Sequence, residues 1–387
     1  MNELFEPRDR SYLGPANHNE NPYDYYCRSG RQSVLAIRQT LNTWFSHYPD
    51  EGKNELKKRF KKTFSAAFFE LFIHEIFLCQ GFEIEIHPSL MDSNRKPDFL
   101  IKKKGIEIYV EAKEAKDKTR DEEGLERRIN YFYDSFNTIN SPKFFIYVKE
   151  LLLKSTKQPK TKNLINKLED KIQHFVPETV LKQIQESGFE NDSELKYEDD
   201  DIMIVISLIP KCQEAQFNDG LRPVAMFPMV TEIGGSEESI RNSFIKKAKK
   251  YKALNKPYII CINAIGIKGD TSFDIENAIW GSLILTWSTD PKNRNEHYTR
   301  KKDGFFYGNK GPQFRNVSGV LVTKVMGFNI PIAPFWFVKH PFTEKEIDFE
   351  NFNLTYYYVS KNQIHKIDKS DYGEILNIND NWIDPLS

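Results

Sequence analysis

Apolar positions recur at helical spacing in RQSVLAIRQTLNTWFSHY (31–48), while TFSAAFFELFIHEIFLCQ (63–80) is apolar almost all the way round, as a buried helix is. Thr63 is placed to cap that second helix, and Gly81 fits the left-handed position just past its end. The period then changes from 3.6 to 2. GFEIEIHP (81–88) reads as a strand, and FLIKK (99–103) and IEIYVEAK (106–113) read as a hairpin turning at Lys104-Gly105. In its return strand Ile106, Ile108 and Val110 alternate with Glu107, Tyr109 and Glu111. EEGLERRINYFYDSFNTIN (122–140) predicts an amphipathic helix and KFFIYVKE (143–150) a buried strand.

Further along, NLINKLEDKIQHF (163–175) and PETVLKQIQESG (177–188) read as lysine-rich helices, and the acidic run NDSELKYEDDD (191–201) as a solvated connector or hairpin tip. DIMIVISLIPK, KPYIICINAI and SGVLVTKV predict strands, and SEESIRNSFIKKAKKYKALN (236–255) a helix. NTINSPKFFIYV and KALNKPYIICIN share a helix end, an asparagine, a proline and an apolar strand, which fits either a duplication or the common way a helix feeds a sheet. PIAPFWFVKHPF (331–342) is aromatic enough to stack bases, but burial in the core is the simpler reading.

The 387 residues contain no Gly/Ser-rich or Pro-rich linker, so one large or two closely packed domains are expected. Aromatic residues make up 13% of the chain, enough to fill a core despite many surface charges. No stretch reaches the roughly 20 apolar residues of a membrane span, and MNELFEPRDR lacks the apolar run of a signal peptide. A cytoplasmic protein is expected. Cys27, Cys79, Cys212 and Cys261 are scattered with no Cys-x-x-Cys pair, which points to free thiols and away from a zinc site. The formal net charge is zero, so nucleic-acid binding would have to come from local patches. Three are available: KNELKKRFKK (53–62), RNSFIKKAKKYK (241–252) and KNRNEHYTRKK (292–302). The first is best placed in the sequence, because it directly precedes the apolar helix.

Candidate chemistry concentrates in PDFLIKKKGIEIYVEAK (97–113). With Lys103 facing Ile106 across the turn, Asp98 falls opposite Glu111 on one face, at a Cβ separation of roughly 4.5–5.5 Å. Two carboxylates that close repel unless a cation lies between them or one holds a proton, and Mg²⁺ suits a sparse oxygen site of this kind. Lys113, two residues beyond Glu111, points to the same face.

Pro97-Asp98 followed by Glu111-Ala112-Lys113 resembles the signature of the PD-(D/E)XK, or restriction-endonuclease-like, nuclease superfamily, over about Phe64 to Glu150. The resemblance implies an α-β-β-β-α-β core built from 63–80, 81–88, the hairpin, 122–140 and 143–150. It implies an α/β fold with a mixed central sheet flanked by helices, to which a second α/β half is added here. The corresponding divisions are an N-terminal extension with one helix (1–60), a nuclease core (61–155), a helical connector (156–200) and a C-terminal α/β region of unassigned role (201–387).

The implied activity is Mg²⁺-dependent hydrolysis of phosphodiester bonds, with Mn²⁺ as a substitute, leaving a 5′-phosphate and a 3′-hydroxyl. Asp98, Glu111 and the Ala112 carbonyl would hold the metal, Glu70 would assist directly or through water, and Lys113 would orient the attacking water. Glu70 is preferred to Glu75, which shares its helix. His74, one turn from Glu70, is either its hydrogen-bond partner or a packed core residue, and Glu85 and His87 are expected to be structural or to support the metal ligands from behind. The stretch from KAKKYKALNKPYIICINAIG to GPQFRNVSGVL is similar to the latter half of uncharacterised bacterial proteins with a nuclease-like first half. DNA is the expected partner ahead of RNA, in a setting such as anti-phage defence, with a homodimer or partner protein using the C-terminal half. The rival readings are an RNA nuclease of the same fold and a non-catalytic nucleic-acid-binding or sensor protein.

Overall fold

The structure is a computed structural model that describes residues 3–91, 93–116, 120–188, 194–216, 221–228, 236–251, 254–266, 271–287, 296–361 and 363–383. Helices α1 (Pro22–Arg28), α2 (Gln32–His47), α3 (Asp50–Phe60) and α4 (Phe64–Cys79) precede strands β1 (Glu83–Ile86), β2 (Phe99–Lys103) and β3 (Ile106–Lys116). Next come α5 (Arg120–Phe136), β4 (Phe144–Leu153), α6 (Lys162–Ile172), α7 (Pro177–Ser187), β5 (Leu195–Glu198), β6 (Ile202–Pro210), α8 (Gln213–Gln216) and β7 (Val224–Met226). Then follow α9 (Ser236–Ala248), β8 (Tyr258–Gly266), α10 (Thr271–Trp280), β9 (Leu283–Trp287), β10 (Glu296–Arg300), β11 (Tyr307–Gly308) and β12 (Gly311–Pro312). The chain finishes with β13 (Gly319–Thr323), β14 (Phe335–Lys339), β15 (Tyr356–Ser360), β16 (Gln363–Ile367) and α11 (Tyr372–Leu376).

Two compact units share this chain. The first combines Met1–Arg10, Tyr26–Asp117 and Glu232–Ser387; the second combines Ser11–Tyr25 with Lys118–Thr231. The first unit is built on an eight-stranded mixed sheet in the order β1-β2-β3-β8-β13-β14-β15-β16. β1, β2 and β3 pair antiparallel, and β3, β8 and β13 run parallel. β8, YIICINAIG, is apolar on both faces because helices cover the sheet on both sides, the usual composition of a central parallel strand. On one face Leu100, Tyr109, Ile260 and Val320 pack with Ile240 and Phe244 of α9 and Ile275 of α10. On the other, Phe99 meets His74 of α4, their rings 6.0 Å apart.

α4 is buried along nearly its whole length. Its end forms a Schellman motif: the Gly81 N–H bonds the Leu78 carbonyl at 2.8 Å and the Phe82 N–H bonds the Phe77 carbonyl at 3.2 Å, with Gly81 at φ 78°. Thr63 does occupy the first position, but its hydroxyl donates back to the Arg59 carbonyl and makes no cap bond to α4.

The second unit is a four-stranded sheet, β5-β6-β4-β7, covered on one face by α5, α6 and α7 through Phe132, Phe136, Leu164, Leu168 and Val180. The described part of the acidic run forms the β5–β6 hairpin, whose tip is closed by Asp199 Oδ1 accepting the Asp201 and Ile202 N–H groups at 2.9 Å. Residues 191–193 of that run lie outside the described residues.

These units correct the divisions expected from the sequence. α5 and β4 form as a helix and a strand, but β4 pairs with β6 and β7 in the second unit and not with the hairpin. In the first unit α4, β1, β2 and β3 are followed, after 118–231, by α9 and by β8, which pairs parallel with β3. The C-terminal strands extend the same eight-stranded sheet, so 201–387 is not a separate α/β half, and 26–60 belongs to the first unit.

Phe72 tests how far the first unit depends on α4. It is fully buried among Trp44, Phe68, Phe69 and Tyr372, the last in edge contact at 4.9 Å. Phe72→Ala is expected to destabilise that unit by about 3–5 kcal/mol in chemical denaturation.

Candidate functional site

Lys104 and Gly105 both have positive φ, 49° and 80°, as a two-residue type I′ hairpin requires. That turn sets Lys103 against Ile106 and Phe99 against Val110, so Asp98, one residue before β2, stands opposite Glu111. The Ala112 N–H donates to Asp98 Oδ2 at 2.7 Å, and the His87 N–H holds the Asp98 carbonyl at 2.9 Å. By the two-residue alternation of the strands, Asp98, Glu111 and Lys113 share the face that α9 covers.

Glu111 has no solvent exposure. Its Oε1 accepts from the ammonium groups of both Lys247 and Lys250, and its Oε2 accepts from the Tyr251 hydroxyl at 2.7 Å. Burial first, and the Glu111 charge second, push the Tyr251 phenol far above its usual value, so it is a fixed donor. Asp98 is pushed up to about 7 by burial, then by the negative charges of Glu111 and Glu70; Lys247 and the Ala112 N–H pull in the opposite direction. The pair therefore draws positive charge towards itself.

Lys247 and Lys250 also line an open cleft of about 990 Å³, together with Arg95, Lys113, Glu114, Glu238, Ser239, Asn242, Ser243, Lys246 and Lys249. Six of these side chains are basic and two acidic, and the Lys113 side chain is exposed here. The two lysines thus stand between the cleft and the buried carboxylate.

Glu70 is buried, and its carboxylate is taken by Arg59 at 2.6 Å and the Tyr48 hydroxyl at 3.0 Å. It reaches Asp98 through its charge. Glu75 pairs with His47 at 2.9 Å. His74 does not bond Glu70: it packs against the Tyr48 and Phe99 rings, and its Nδ1 has no partner. Among the described residues no group of three or more His, Cys, Asp or Glu side chains is arranged to hold a metal ion. The donors that would hold one are the Asp98 and Glu111 carboxylates and the Ala112 carbonyl, hard oxygens of the kind Mg²⁺ takes. At Glu111 the positive charge is supplied by two ammonium groups, so the carboxylate sits where a cation is stabilised.

The basic run that reaches this site is 241–252, not 53–62. Lys53, Lys57 and Arg59 of the earlier run are engaged by Asp50, Glu6 and Glu70. Lys247, Lys250 and Tyr251 escaped sequence reasoning as site residues. Their only local signal was the density of lysines in KKAKKYK, which does not say what they face.

Comparison with protein-family models, with curated proteins and with solved structures finds no match.

Two electrostatic outcomes follow. Arg59→Met leaves the Glu70 charge buried with only a phenol for company, and is expected to cost about 3–5 kcal/mol, most of it recovered by adding Glu70→Gln. His74 is held at about 4 against a usual 6.5, by burial and then by the charge of His47. As pH falls from 6.5 towards 4 the unfolded chain takes up a proton that the folded chain refuses, so stability is lost over that window. Chemical denaturation of His74→Phe at pH 7 and pH 4.5 should show on the order of 2–3 kcal/mol less acid destabilisation than the parent.

Proposed function

We propose that this protein is a metal-dependent nuclease of the PD-(D/E)XK type that hydrolyses phosphodiester bonds, with DNA as the preferred substrate. The observation that carries the reading is the pairing of Asp98 with Glu111 across the hairpin, beside a cleft lined by six basic side chains. The element order α4-β1-β2-β3-α9-β8 around that hairpin agrees with the core that the Pro97-Asp98 and Glu111-Ala112-Lys113 resemblance implies.

In this reading Asp98, Glu111 and the Ala112 carbonyl would hold Mg²⁺, a cation that would supply Lewis-acid chemistry for phosphodiester hydrolysis. Lys113 reaches from β3 into the cleft, where it orients the attacking water and offsets charge developing on the phosphoryl oxygens. The Ala112 N–H keeps the Asp98 carboxylate turned towards Glu111. Lys246 and Lys249 add to the positive lining of the cleft, where they would meet flanking phosphates. Glu70 serves through its charge on Asp98 and not as a ligand, since Arg59 and Tyr48 already hold it.

A second reading, nucleic-acid binding without cleavage, is favoured by one observation: Glu111 is already saturated by Lys247, Lys250 and Tyr251. One experiment separates the two. Plasmid DNA, single-stranded DNA and total RNA are incubated with the protein, with Mg²⁺ or with EDTA. Metal-dependent cleavage of DNA, lost by at least about a thousandfold in Asp98→Ala and Lys113→Ala while their melting temperatures stay near the parent's, supports the nuclease. Cleavage that survives both substitutions rejects it, retention of nucleic acid without cleavage supports the second reading, and cleavage of RNA alone reassigns the substrate.

A further inference from the structure

Resting on the nuclease reading, we propose that Lys247 and Lys250 are exchangeable counter-ions: they occupy the place of the divalent cation at Glu111, and on its binding they move into the cleft to hold substrate phosphates. Three observations lead there. Both ammonium groups converge on one oxygen, Glu111 Oε1, of a carboxylate with no solvent exposure. Two like charges at one oxygen repel each other, so the arrangement persists because the buried carboxylate has no better partner. Both side chains also line the cleft, at 16% and 28% exposure, so each has a second, solvated position within reach of its own flexible stem. Tyr251 differs: it holds the other oxygen, Oε2, and as a neutral donor it does not compete with a cation for charge.

A divalent cation at Glu111 would bring the two ammonium groups next to like charge, and the cleft is where they can go. There they add two positive charges to the lining formed by Arg95, Lys113, Lys246 and Lys249. Metal binding and nucleic-acid binding are then coupled: each favours the arrangement in which the lysines have left Glu111, so by linkage each strengthens the other. Without metal the lysines keep the carboxylate neutralised and the cleft less positive.

Calorimetric titration with Mn²⁺ of the parent, the double variant K247M/K250M and the single variant K250M provides the test. Removal of the competitors is expected to tighten Mn²⁺ binding by about tenfold in the double variant and by less in K250M. Binding should be lost when Glu111→Gln is added. In a Lys113→Ala background, which the nuclease reading makes non-cleaving, the double variant should bind a short DNA duplex in Mn²⁺ with a log–log salt slope shallower by about two. If the double variant does not fold in EDTA, its recovery on addition of Mn²⁺ supports the exchange, and K250M carries the affinity comparison. Unchanged or weakened Mn²⁺ affinity in folded K250M and K247M/K250M overturns the inference and leaves the nuclease reading standing. Absence of Mn²⁺ binding in every protein, parent included, overturns both.

Discussion

A carboxylate buried without water must be neutralised, and the first unit is organised around doing this for Glu111. Glu111 lies on β3, where the antiparallel hairpin meets the parallel strands. Neutralising it there requires cations from a helix lying across β3 and β8, which is what α9 and the residues just beyond it supply. Removing either side would strand a charge in a dry environment, a far larger penalty than losing an exposed ion pair. The carboxylate, the helix and the parallel pairing of β3 with β8 therefore depend on one another.

That dependence explains how the chain tolerates the second unit. Two parallel neighbours need a crossover of a dozen residues or more, and nothing in the pairing sets an upper limit. Between β3 and β8 the chain places 118–231 and then α9, whose Ile240 and Phe244 pack on the sheet. Loop-closure entropy grows slowly with length, so a unit with its own sheet and its own apolar core can be carried there at small cost to the host.

The parts of this fold that could be read from the sequence are those determined by neighbours. The hairpin register, with Asp98 opposite Glu111, follows from a two-residue turn and the strict alternation of strand side chains, and the structure has that register. Gly81 ends α4 as expected, because only the backbone conformation of one residue was at issue. The choice between β4 and β8 as partner of β3 was harder, since both follow a helix, an asparagine and a proline. A distinguishing signal was nevertheless present. FFIYVKELLL is buried on one face and carries Lys149 and Glu150, as a strand with one face open to solvent does, whereas YIICINAIG carries no charged side chain and is buried on both faces, which suits the middle of a parallel sheet.

By itself, then, the sequence determined the acidic pair: Asp98 and Glu111 are brought together by a turn of two residues, whose geometry depends on nothing outside the hairpin. Only the tertiary structure decided what those carboxylates meet. Lys247, Lys250 and Tyr251 lie 136 to 140 residues from Glu111 along the chain. Their arrival depends on which strand pairs with β3, and that pairing is settled by burial over the whole sheet, which no local pattern records.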